Sequence, residues 1–421
     1  MRLVFLWVSV LATTLTLSTA SAFGAIDLWV CDHSTQSALG LDANGAIEVS
    51  IPLPGDGFGT AVAGDGSAWI AIADAEVLVH VNASGILATV PTPGPILSLA
   101  MAADGTFWAV SSTDSVVHHL SSGGALIETV TTGAIPYGVA IDAAGRVWVS
   151  NAFGNSVTRI DTDGTTVEIP VGFYPTGIAA HGNGTIWVVE KTGVRVLDGA
   201  GQELSHQPVG VFPRGITVAV GGDVWVTDQS AHSVHRFDPD GTWLGEITVG
   251  NFPWGIAAAG DGSIAVLCRL AGEVQLYSGS GQLLGTTSVG YPHAFGDLSG
   301  VSLASAVLPE QDFDNDTVPN LVEVIAGTHP FDDTSHPAFF LRGDADASGT
   351  LDLGDVMPIL SGSPHDCPAS LDTNDNGAVE VTDAVLLLGY LFLDGPAPAA
   401  PFPAVGFDPT PVGDDGLPCD G

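Results

Sequence analysis

Ile135-Pro136-Tyr137-Gly138-Val139-Ala140-Ile141-Asp142-Ala143-Ala144-Gly145-Arg146-Val147-Trp148-Val149 is the stretch that the chain repeats. It predicts an apolar strand opened by Pro-x-Gly, a tight Asp-x-x-Gly turn, and a second strand that carries a tryptophan. Near-copies occupy residues 175–188, 213–226 and 253–266, and looser copies occupy residues 57–70 and 95–109. The tryptophan position is filled in order by Trp29, Trp69, Trp108, Trp148, Trp187, Trp225 and Ala265, at spacings of 40, 39, 40, 39, 38 and 40 residues. Seven copies at so steady a period indicate a repeat architecture.

Each copy continues with two more strand-like segments, such as residues 156–164 and 165–171. Four short strands in every ~40 residues are typical of a β-propeller blade, so residues 23–308 are predicted to form a seven-bladed ring. A helical solenoid is excluded because no segment here keeps a 3.6-residue period. The first copy begins at its second strand, and its missing innermost strand recurs at residues 291–297. We expect that segment to complete the first blade and close the ring.

The charge balance limits the partners. The 421-residue chain has 9 Lys and Arg against 47 Asp and Glu, a formal net charge of -38. Nucleic acid and anionic membranes are therefore poor partners, because binding phosphates requires Lys and Arg to displace counterions. Charged residues are only 13% of the chain, so it is not a disordered acidic polymer.

Residues 1–22 read as a secretory signal, with Arg2, an apolar run at 3–17 and the small residues Ala20-Ser21-Ala22. The alternative is a membrane anchor, but the apolar run falls short of the ~20 residues that a span needs. No later segment is apolar enough to cross a bilayer. We therefore expect a mature protein that is secreted, extracellular or associated with the cell surface, without a transmembrane segment.

Four cysteines fit two disulfides in an oxidising compartment. Cys367 and Cys419 lie in the same C-terminal module, and Cys31 and Cys268 lie in the first and last repeats, which are neighbours in a closed ring. Free buried thiols are the alternative for both pairs.

The Pro-x-Gly…Asp-x-x-Gly…Trp-Val pattern resembles the seven-bladed propellers of the streptogramin B lyase (virginiamycin B lyase) and NHL-repeat type. The resemblance covers about two-thirds of the chain and implies the fold. It is weak for activity because function sits in the loops of such scaffolds. The His and Glu pair of the lyase family is not found at matching positions.

Two sets of residues are predicted to emerge on one face of the ring. The residue inside Pro-x-Gly opens each innermost strand, and the residue three after the tryptophan position ends the antiparallel second strand. The first set is Phe58, Leu97, Tyr137, Thr176, Arg214, Trp254 and His293. The second set is Asp32, Ile72, Ser111, Asn151, Glu190, Asp228 and Cys268. Their chemistry varies from copy to copy, which suggests that the fold does not require it.

One interpretation is a funnel-shaped mouth where these groups converge on a ligand. The ligand-binding candidates are Asp32, Tyr137, Asn151, Glu190, Arg214, Asp228, Trp254 and His293. Asp32, Asn151, Glu190 and Asp228 have oxygens suited to a hard divalent cation, and lactonases of the gluconolactonase type look similar in this respect. The alternative is that each side chain caps its own loop by hydrogen bonding.

Composition changes after residue 308, where 21 acids face a single base, Arg342. Acids at this density repel one another unless a cation lies among them. In residues 312–323 the oxygens fall at the places of a calcium loop, with a backbone carbonyl at the seventh place. The candidate ligands are Asp312, Asp314, Asp316, Val318, Asn320 and Glu323. With Ala326-Gly327-Thr328-His329-Pro330, residues 309–337 resemble bacterial thrombospondin type 3 calcium repeats, although Thr317 stands where glycine is usual.

Residues 338–421 contain two further loops of this kind, 28 residues apart, each with glycine in place and each followed by a segment that predicts a short helix. The candidate ligands are Asp344, Asp346, Ser348, Thr350, Asp352 and Asp355 in one loop, and Asp372, Asn374, Asn376, Ala378, Glu380 and Asp383 in the other. Two tandem loops that end in Asp, preceded by Leu341-Arg342-Gly343-Asp344, resemble a type I dockerin (EF-hand loops). The resemblance implies calcium as cofactor and a cohesin-like partner. Turns of Asp, Asn and Gly without metal are the alternative, and the Pro-rich end is expected to be extended.

These patterns predict a mainly β protein, a seven-bladed propeller followed by a small α/loop calcium-binding, dockerin-like domain. The leading functional hypothesis is an exported, non-enzymatic binding or adhesion protein whose tail attaches it to a cell-surface, carbohydrate or cohesin-like partner. The alternative is an extracellular lyase or hydrolase, streptogramin lyase-like or lactonase-like, that acts at the mouth. A third possibility is a purely structural envelope protein. No catalytic residue is assigned from the sequence.

Overall fold

The computed structural model describes residues 26–219, 222–260, 262–300 and 302 of the repeat region. Nearer the end of the chain it describes residues 342–345, 351, 353–361, 370–374, 378–393 and 396–399. Seven sheets follow one another in the repeat region, and this confirms the seven-bladed propeller. The signal segment (1–22), the first acidic loop (312–323) and Cys367 and Cys419 lie outside the described residues.

The strands run antiparallel from the inside of each blade to its outer edge. Blades 1 and 2 contain β1 (Leu28–Asp32), β2 (Ser37–Leu41), β3 (Ile47–Pro52), β4 (Gly57–Val62), β5 (Ala68–Ile72), β6 (Val77–Asn82) and β7 (Gly85–Pro91). Blades 3 and 4 contain β8 (Ser98–Met101), β9 (Phe107–Ser111), β10 (Val116–Leu120), β11 (Leu126–Thr131), β12 (Pro136–Ile141), β13 (Val147–Asn151), β14 (Ser156–Ile160) and β15 (Thr166–Pro170).

The later blades repeat this order. Blade 5 contains β16 (Ile178–Ala180), β17 (Ile186–Glu190), β18 (Gly193–Leu197) and β19 (Glu203–Pro208). Blades 6 and 7 contain β20 (Pro213–Val218), β21 (Val224–Asp228), β22 (Ser233–Phe237), β23 (Trp243–Thr248), β24 (Pro253–Ala258), β25 (Ile264–Cys268), β26 (Glu273–Tyr277) and β27 (Leu283–Ser288). The last strands are β28 (Pro292–His293) and β29 (Phe295–Asp297).

The ring closes where the sequence predicts, but the closing segment divides into two strands. β28 pairs with β1 and supplies the innermost strand of blade 1, with Cys31 opposite His293. β29 instead runs parallel to β4, with Phe295 opposite Gly59, and makes the sheet of blade 2 five-stranded. The end of the repeat region therefore ties the first two blades together and enters the space inside the ring.

The glycine of Pro-x-Gly is explained by the crowding of the innermost strands. A β-carbon on Gly138 would lie 2.7 Å from the carbonyl oxygen of Thr176 in the next blade, and one on Gly215 would lie 2.8 Å from that of Trp254. Real β-carbons do not approach a backbone oxygen so closely, so glycine lets each inner strand pack against its neighbour.

The tryptophans fill the gaps between blades. Trp148 is fully buried and packs against Ile178 and Ile186 of blade 5, while its indole N–H donates to Asp142 Oδ2 at 2.9 Å. Ala265 takes this place in blade 7 and packs against Leu28 and Leu39 of blade 1. Seven such apolar layers, one between each pair of blades, form the core.

Of the two alternatives for Cys31 and Cys268, the structure shows free buried thiols and not the disulfide. Both thiols are free and buried, and burial raises the pKa of each to about 12. Cys31 packs in the layer between blades 1 and 2, whereas Cys268 packs in the layer between blades 6 and 7. Blades 1 and 7 are neighbours, but the two side chains lie in different interblade layers.

The described part of the tail contains two helices, where the sequence predicts short ones. They are α1 (Leu353–Ser361) and α2 (Val381–Leu393), and Val356, Ile359, Ala384 and Leu387 form a small core between them. Buried Arg342 donates from Nη1 to the backbone oxygen of Asp372 at 2.8 Å, so it links the starts of the two acidic loops. No helix among the described residues is long and apolar enough to span a membrane.

Candidate ligand-binding mouth of the propeller

The register of the inner strands places both predicted sets on one face. Pro136 lies opposite Asn151, Pro213 opposite Asp228 and Pro253 opposite Cys268. The start of each innermost strand therefore lies beside the end of the second strand, as the antiparallel repeat predicts. We call this face of the ring the mouth.

Side chains of the first set meet across the mouth. The His293 ring lies 4.7 Å from Phe58 and 5.2 Å from Trp254, measured between ring centroids. Phe295, on the inserted strand β29, lies 5.2 Å from Tyr137 and 5.8 Å from Trp254. Rings from blades 1, 2, 4 and 7 are thereby in contact with one another. We call Phe58, Tyr137, Trp254, His293 and Phe295 the aromatic cluster.

Arg214, on the innermost strand of blade 6, contacts two members of this cluster. Its guanidinium carbon lies 4.6 Å from the Trp254 ring centroid and 5.3 Å from that of Tyr137, and its Nη1 donates to Tyr137 Oη at 3.0 Å. The Arg214 side chain is 9% exposed, and its Nε has no hydrogen-bond partner. A cation stacked on electron-rich ring faces is favourable, yet a buried N–H without an acceptor is costly.

Two more cations lie at the mouth. The guanidinium carbon of Arg269 lies 4.8 Å from the Trp254 ring and 4.5 Å from that of Tyr291. The ammonium nitrogen of Lys191 lies 5.3 Å from the ring of Phe173. The buried Nε of Arg269 and the indole N–H of Trp254 also have no hydrogen-bond partner. Three unpartnered buried donors, Arg214 Nε, Arg269 Nε and Trp254 Nε1, thus belong to side chains that contact one another.

The second set behaves differently, because its polar members are hydrogen-bonded within their own loops or blade edges. Asp228 accepts backbone N–H bonds from Val211, Ser230 and Ala231. Asp32 accepts bonds from Ser34, Thr35 and the backbone N–H of Tyr291.

Glu190 and Asn151 follow the same rule. Glu190 accepts the backbone N–H of Gly172 at 2.7 Å and pairs with Arg195 of its own blade. Asn151 donates to Ser156 and Thr158. These four residues are therefore in the capping arrangement that the sequence left as an alternative. Among the described residues there is no cluster of three or more His, Cys, Asp or Glu side chains able to hold a metal ion.

Below the aromatic cluster lies the central channel, which encloses about 850 Å³, part of it open to solvent. Inner-strand residues of blades 3 to 7 line it, together with residues 294–297. A β-carbon on Gly296 would lie 2.9 Å from the backbone oxygen of Leu99, so the inserted strand packs tightly on the channel wall. Phe295 lies where this strand meets the mouth, and its ring forms the floor of the mouth.

The protonation states at the mouth follow from burial. Burial holds the pKa of His293 well below its ordinary value, and the nearby His33, Arg269 and Arg214 act in the same direction. Burial raises the pKa of Tyr137 to about 12. At neutral pH both rings are therefore uncharged, and the positive charge of the mouth comes from Arg214, Arg269 and Lys191.

Several mouth residues escape the sequence prediction but follow a readable pattern. His33, Lys191 and Arg269 each lie one position after a member of the second set. Tyr174, Phe212, Phe252 and Tyr291 each precede the proline that opens an inner strand, so an aromatic-Pro pair in four successive copies is a usable signal. Tyr174 and Phe252 have φ values of 56° and 63°, a strained backbone conformation for bulky residues.

The two late acidic loops bury the acids at which they begin and end. Asp344, Asp355, Asp372 and Asp383, the first and last acids of the two loops, are buried. The last acid closes each loop, since Asp355 accepts the backbone N–H of Ala345 at 2.8 Å and Asp383 that of Asn374 at 3.3 Å. Burial raises the pKa of Asp383, and the nearby Asp372 adds to this effect. The described residues of each loop thus bury two carboxylates, but they form no group of three or more able to hold a metal ion.

Comparison with known proteins supports the fold. No family model matches the chain, and no curated protein matches it. Among solved structures, a streptogramin B lyase is 19% identical with a TM-score of 0.53, over 57% of this chain and 86% of the other. A protein of unknown function from Desulfotomaculum acetoxidans is 17% identical with a TM-score of 0.56, over 64% and 98%. Hydrazine synthase from Kuenenia stuttgartiensis is 13% identical with a TM-score of 0.53, over 63% and 98%. At these identities the likeness shows the propeller fold alone.

Proposed function

We propose that this protein is an exported binding protein whose propeller mouth holds a small ring-shaped ligand. The observation that carries the proposal is the meeting of side chains from four blades in the aromatic cluster, beside donors that the protein itself does not use. The ring face of a ligand stacks on aromatic side chains, and polar groups directed at the ligand then fix its orientation.

The second candidate is a lyase or hydrolase acting at the same mouth. Its support is the likeness in fold to streptogramin B lyase, together with Tyr137, Arg214 and His293 close together at the mouth. The acids that general acid–base chemistry would use are engaged elsewhere, because Glu190, Asp228 and Asp32 are hydrogen-bonded within their own loops. A bound ligand that is released unchanged is therefore the favoured outcome.

The binding experiment uses the mature full-length chain and a panel of glycans, lactones and cyclic peptides. Trp254→Ala is expected to abolish binding, because it removes the ring that contacts His293, Phe295 and both arginines. Trp243→Ala is the matched control, since Trp243 is 53% exposed on the outer strand β23. Equal binding by the two variants would refute a site at the mouth. Mass spectrometry of each bound compound distinguishes binding from cleavage.

The tail is proposed to be ordered by calcium and to attach the propeller to a surface, carbohydrate or cohesin-like partner. Its support is the loop spacing, the buried first and last acids, and the single basic residue in the module. A chelator should expose residues 338–395 of the full-length protein to protease and leave the propeller resistant. The double variant Asp344→Asn and Asp372→Asn should show the same cleavage with calcium present. Cleavage that does not depend on calcium in the unmodified protein would contradict this.

A further inference from the structure

The basic residues of the described chain divide into two groups. Those away from the mouth pair with carboxylates, as in Arg146 with Asp142, Arg159 with Asp161, Arg195 with Glu190, and Arg236 with Asp223. Arg342 lies in the tail. Among the ion pairs of the described residues none includes Arg214, Arg269 or Lys191. In a chain with 47 acids and 9 bases, three bases without a carboxylate on one face are a marked departure from expectation.

The acids that do lie near the mouth are directed elsewhere. Asp56 lies 3.8 Å from His33 and is 39% exposed, so it faces the rim. Asp32, Glu190 and Asp228 are engaged in their own loops, as described above. The positive charge over Trp254 is therefore not neutralised by an ion pair within the described protein, although a carboxylate would lower the energy of either guanidinium.

From these observations we infer that the ligand carries an oxyanion on its ring, placed against Arg214 and Arg269 while the ring stacks on the aromatic cluster. This inference rests on the proposed ligand-binding function and adds the chemical class. A carboxylate or phosphate supplies the negative partner that the two guanidinium groups over Trp254 lack among the described residues. Guanidinium donors match such oxyanions in a planar, two-point geometry. The ring is a sugar or an aromatic one, since both stack on indole and phenol faces.

The test compares acids with neutral analogues of the same shape. Glucuronate against glucuronamide, and 4-hydroxybenzoate against 4-hydroxybenzamide, differ in charge and separate sugar from aromatic rings. Glucose 6-phosphate against glucose tests a phosphate, and its comparison with the glucuronate pair distinguishes phosphate from carboxylate. Binding is followed by the NMR signal of the Trp254 indole N–H, assigned with Trp254→Phe, in the full-length protein. At least one acid is expected to bind about tenfold or more tightly than its neutral analogue, and added salt should weaken only the acid.

The variants identify the groups responsible. Arg269→Gln is expected to cost about tenfold in affinity for the acid and to leave the neutral analogue within about twofold. Arg214→Lys keeps the positive charge but removes the planar, two-point donor geometry of the guanidinium. It should therefore lower affinity for the acid less than Arg214→Gln does. Arg236→Gln is the matched control, because Arg236 also lies over a tryptophan, 5.4 Å from the Trp225 ring, but pairs with Asp223. It should leave binding unchanged.

The outcomes separate this inference from the proposed function. If acid and neutral analogue bind equally, or if Arg269→Gln leaves the preference intact, the oxyanion inference is wrong and a neutral ring ligand remains. If none of these compounds moves the Trp254 signal while a neutral glycan or lactone of the larger panel does, the inference also fails. If nothing in either panel binds, the proposed function fails with it. Arg269→Gln keeps the test valid if Arg214→Gln does not fold.

Discussion

Two sets of residues share the mouth face of this propeller, and they have opposite roles. Tyr137, Arg214, Trp254 and His293 open the innermost strands, and their side chains contact residues of other blades. Asp32, Asn151, Glu190 and Asp228 end the second strands, and their side chains form hydrogen bonds in their own loops or blade edges. Both sets vary from copy to copy, so variation by itself does not distinguish a ligand site from a loop cap. The contacts of the side chains do, because the first set meets across blades, whereas the polar members of the second set bond in their own loops or blade edges.

The charges follow the same division. Arginines of both kinds lie over aromatic rings, but Arg159 and Arg236 also pair with acids, whereas Arg214 and Arg269 have no ion pair among the described residues. An arginine paired with a carboxylate is internally satisfied and adds little beyond local stability. An arginine stacked on aromatic rings with an unused donor retains the capacity to bind an anion. The cations without an ion pair at the mouth are therefore expected to govern binding, and the paired arginines are expected to contribute to stability.

The largest expected effect comes from separating two inner strands. Gly138→Ala places a β-carbon 2.7 Å from the backbone oxygen of Thr176, and a backbone atom cannot move aside cheaply. We expect the free energy of unfolding in urea to fall by about 3 kcal/mol. Gly279→Ala is the control, since its nearest neighbour would be 3.6 Å away. If the two variants are equally stable, close strand packing does not explain the glycine of Pro-x-Gly.

A smaller loss of stability is expected from the second set. Asp228→Ala removes the acceptor for three backbone N–H groups in a fully buried position. Leaving these donors unpaired should cost about 2 kcal/mol in urea unfolding. Ligand affinity of the folded fraction should not change, whereas Arg269→Gln should lose affinity at nearly unchanged stability. A loss of affinity in Asp228→Ala as large as that in Arg269→Gln would erase the distinction between the capping acids of the second set and the cations of the mouth.

Much of the fold could be predicted from the sequence, because the residues that recur in the repeat are those that strand and blade packing require. The glycine, the turn and the tryptophan recur wherever strands crowd or blades pack, so their period gives the seven blades and the closing segment. The insertion of β29 escapes prediction because residues 295–297 occur once, with no copy to compare. The Cys31–Cys268 pairing fails because adjacency of blades does not say which layer a side chain enters.

The candidate site could be predicted only in part. The repeat register identifies the positions of Tyr137, Trp254 and His293, but not which of two adjacent sets reaches the axis. Asp32 and Asp228 look like ligands in the sequence, since an Asx cap and an exposed carboxylate use the same residue types. The contributions of Arg269 and Lys191 depend on side-chain reach across the mouth, which periodicity does not encode.

The pH dependence of stability tests the capping role of Asp32. Burial alone would raise its pKa, but hydrogen bonds from Ser34, the backbone of Tyr291 and Thr35 outweigh it and lower the pKa. A lowered folded-state pKa means that the carboxylate stabilises the fold fully above its unfolded pKa of about 4, and that this contribution is lost as pH falls through the lower folded value. After screening by water we expect about 0.5–1 kcal/mol. Between pH 6 and pH 3 the free energy of unfolding in urea should therefore fall less steeply in Asp32→Asn than in the unmodified protein. Equal dependence on pH in the two proteins would contradict the capping role.

The smallest expected effect is an absence of reaction at Cys268, the member of the second set in blade 7. Burial raises the pKa of its thiol to about 12, so almost no thiolate exists at pH 8, and thiolate is the reactive species. Iodoacetamide should label Cys268 only after unfolding, as judged by mass spectrometry of its peptide. Cys31 provides an internal comparison, because it is equally buried but ends no strand at the mouth. Rapid labelling of Cys268 alone in the folded protein would mean that second-set positions open toward the ligand, and the contrast with the inner set would then have to be abandoned.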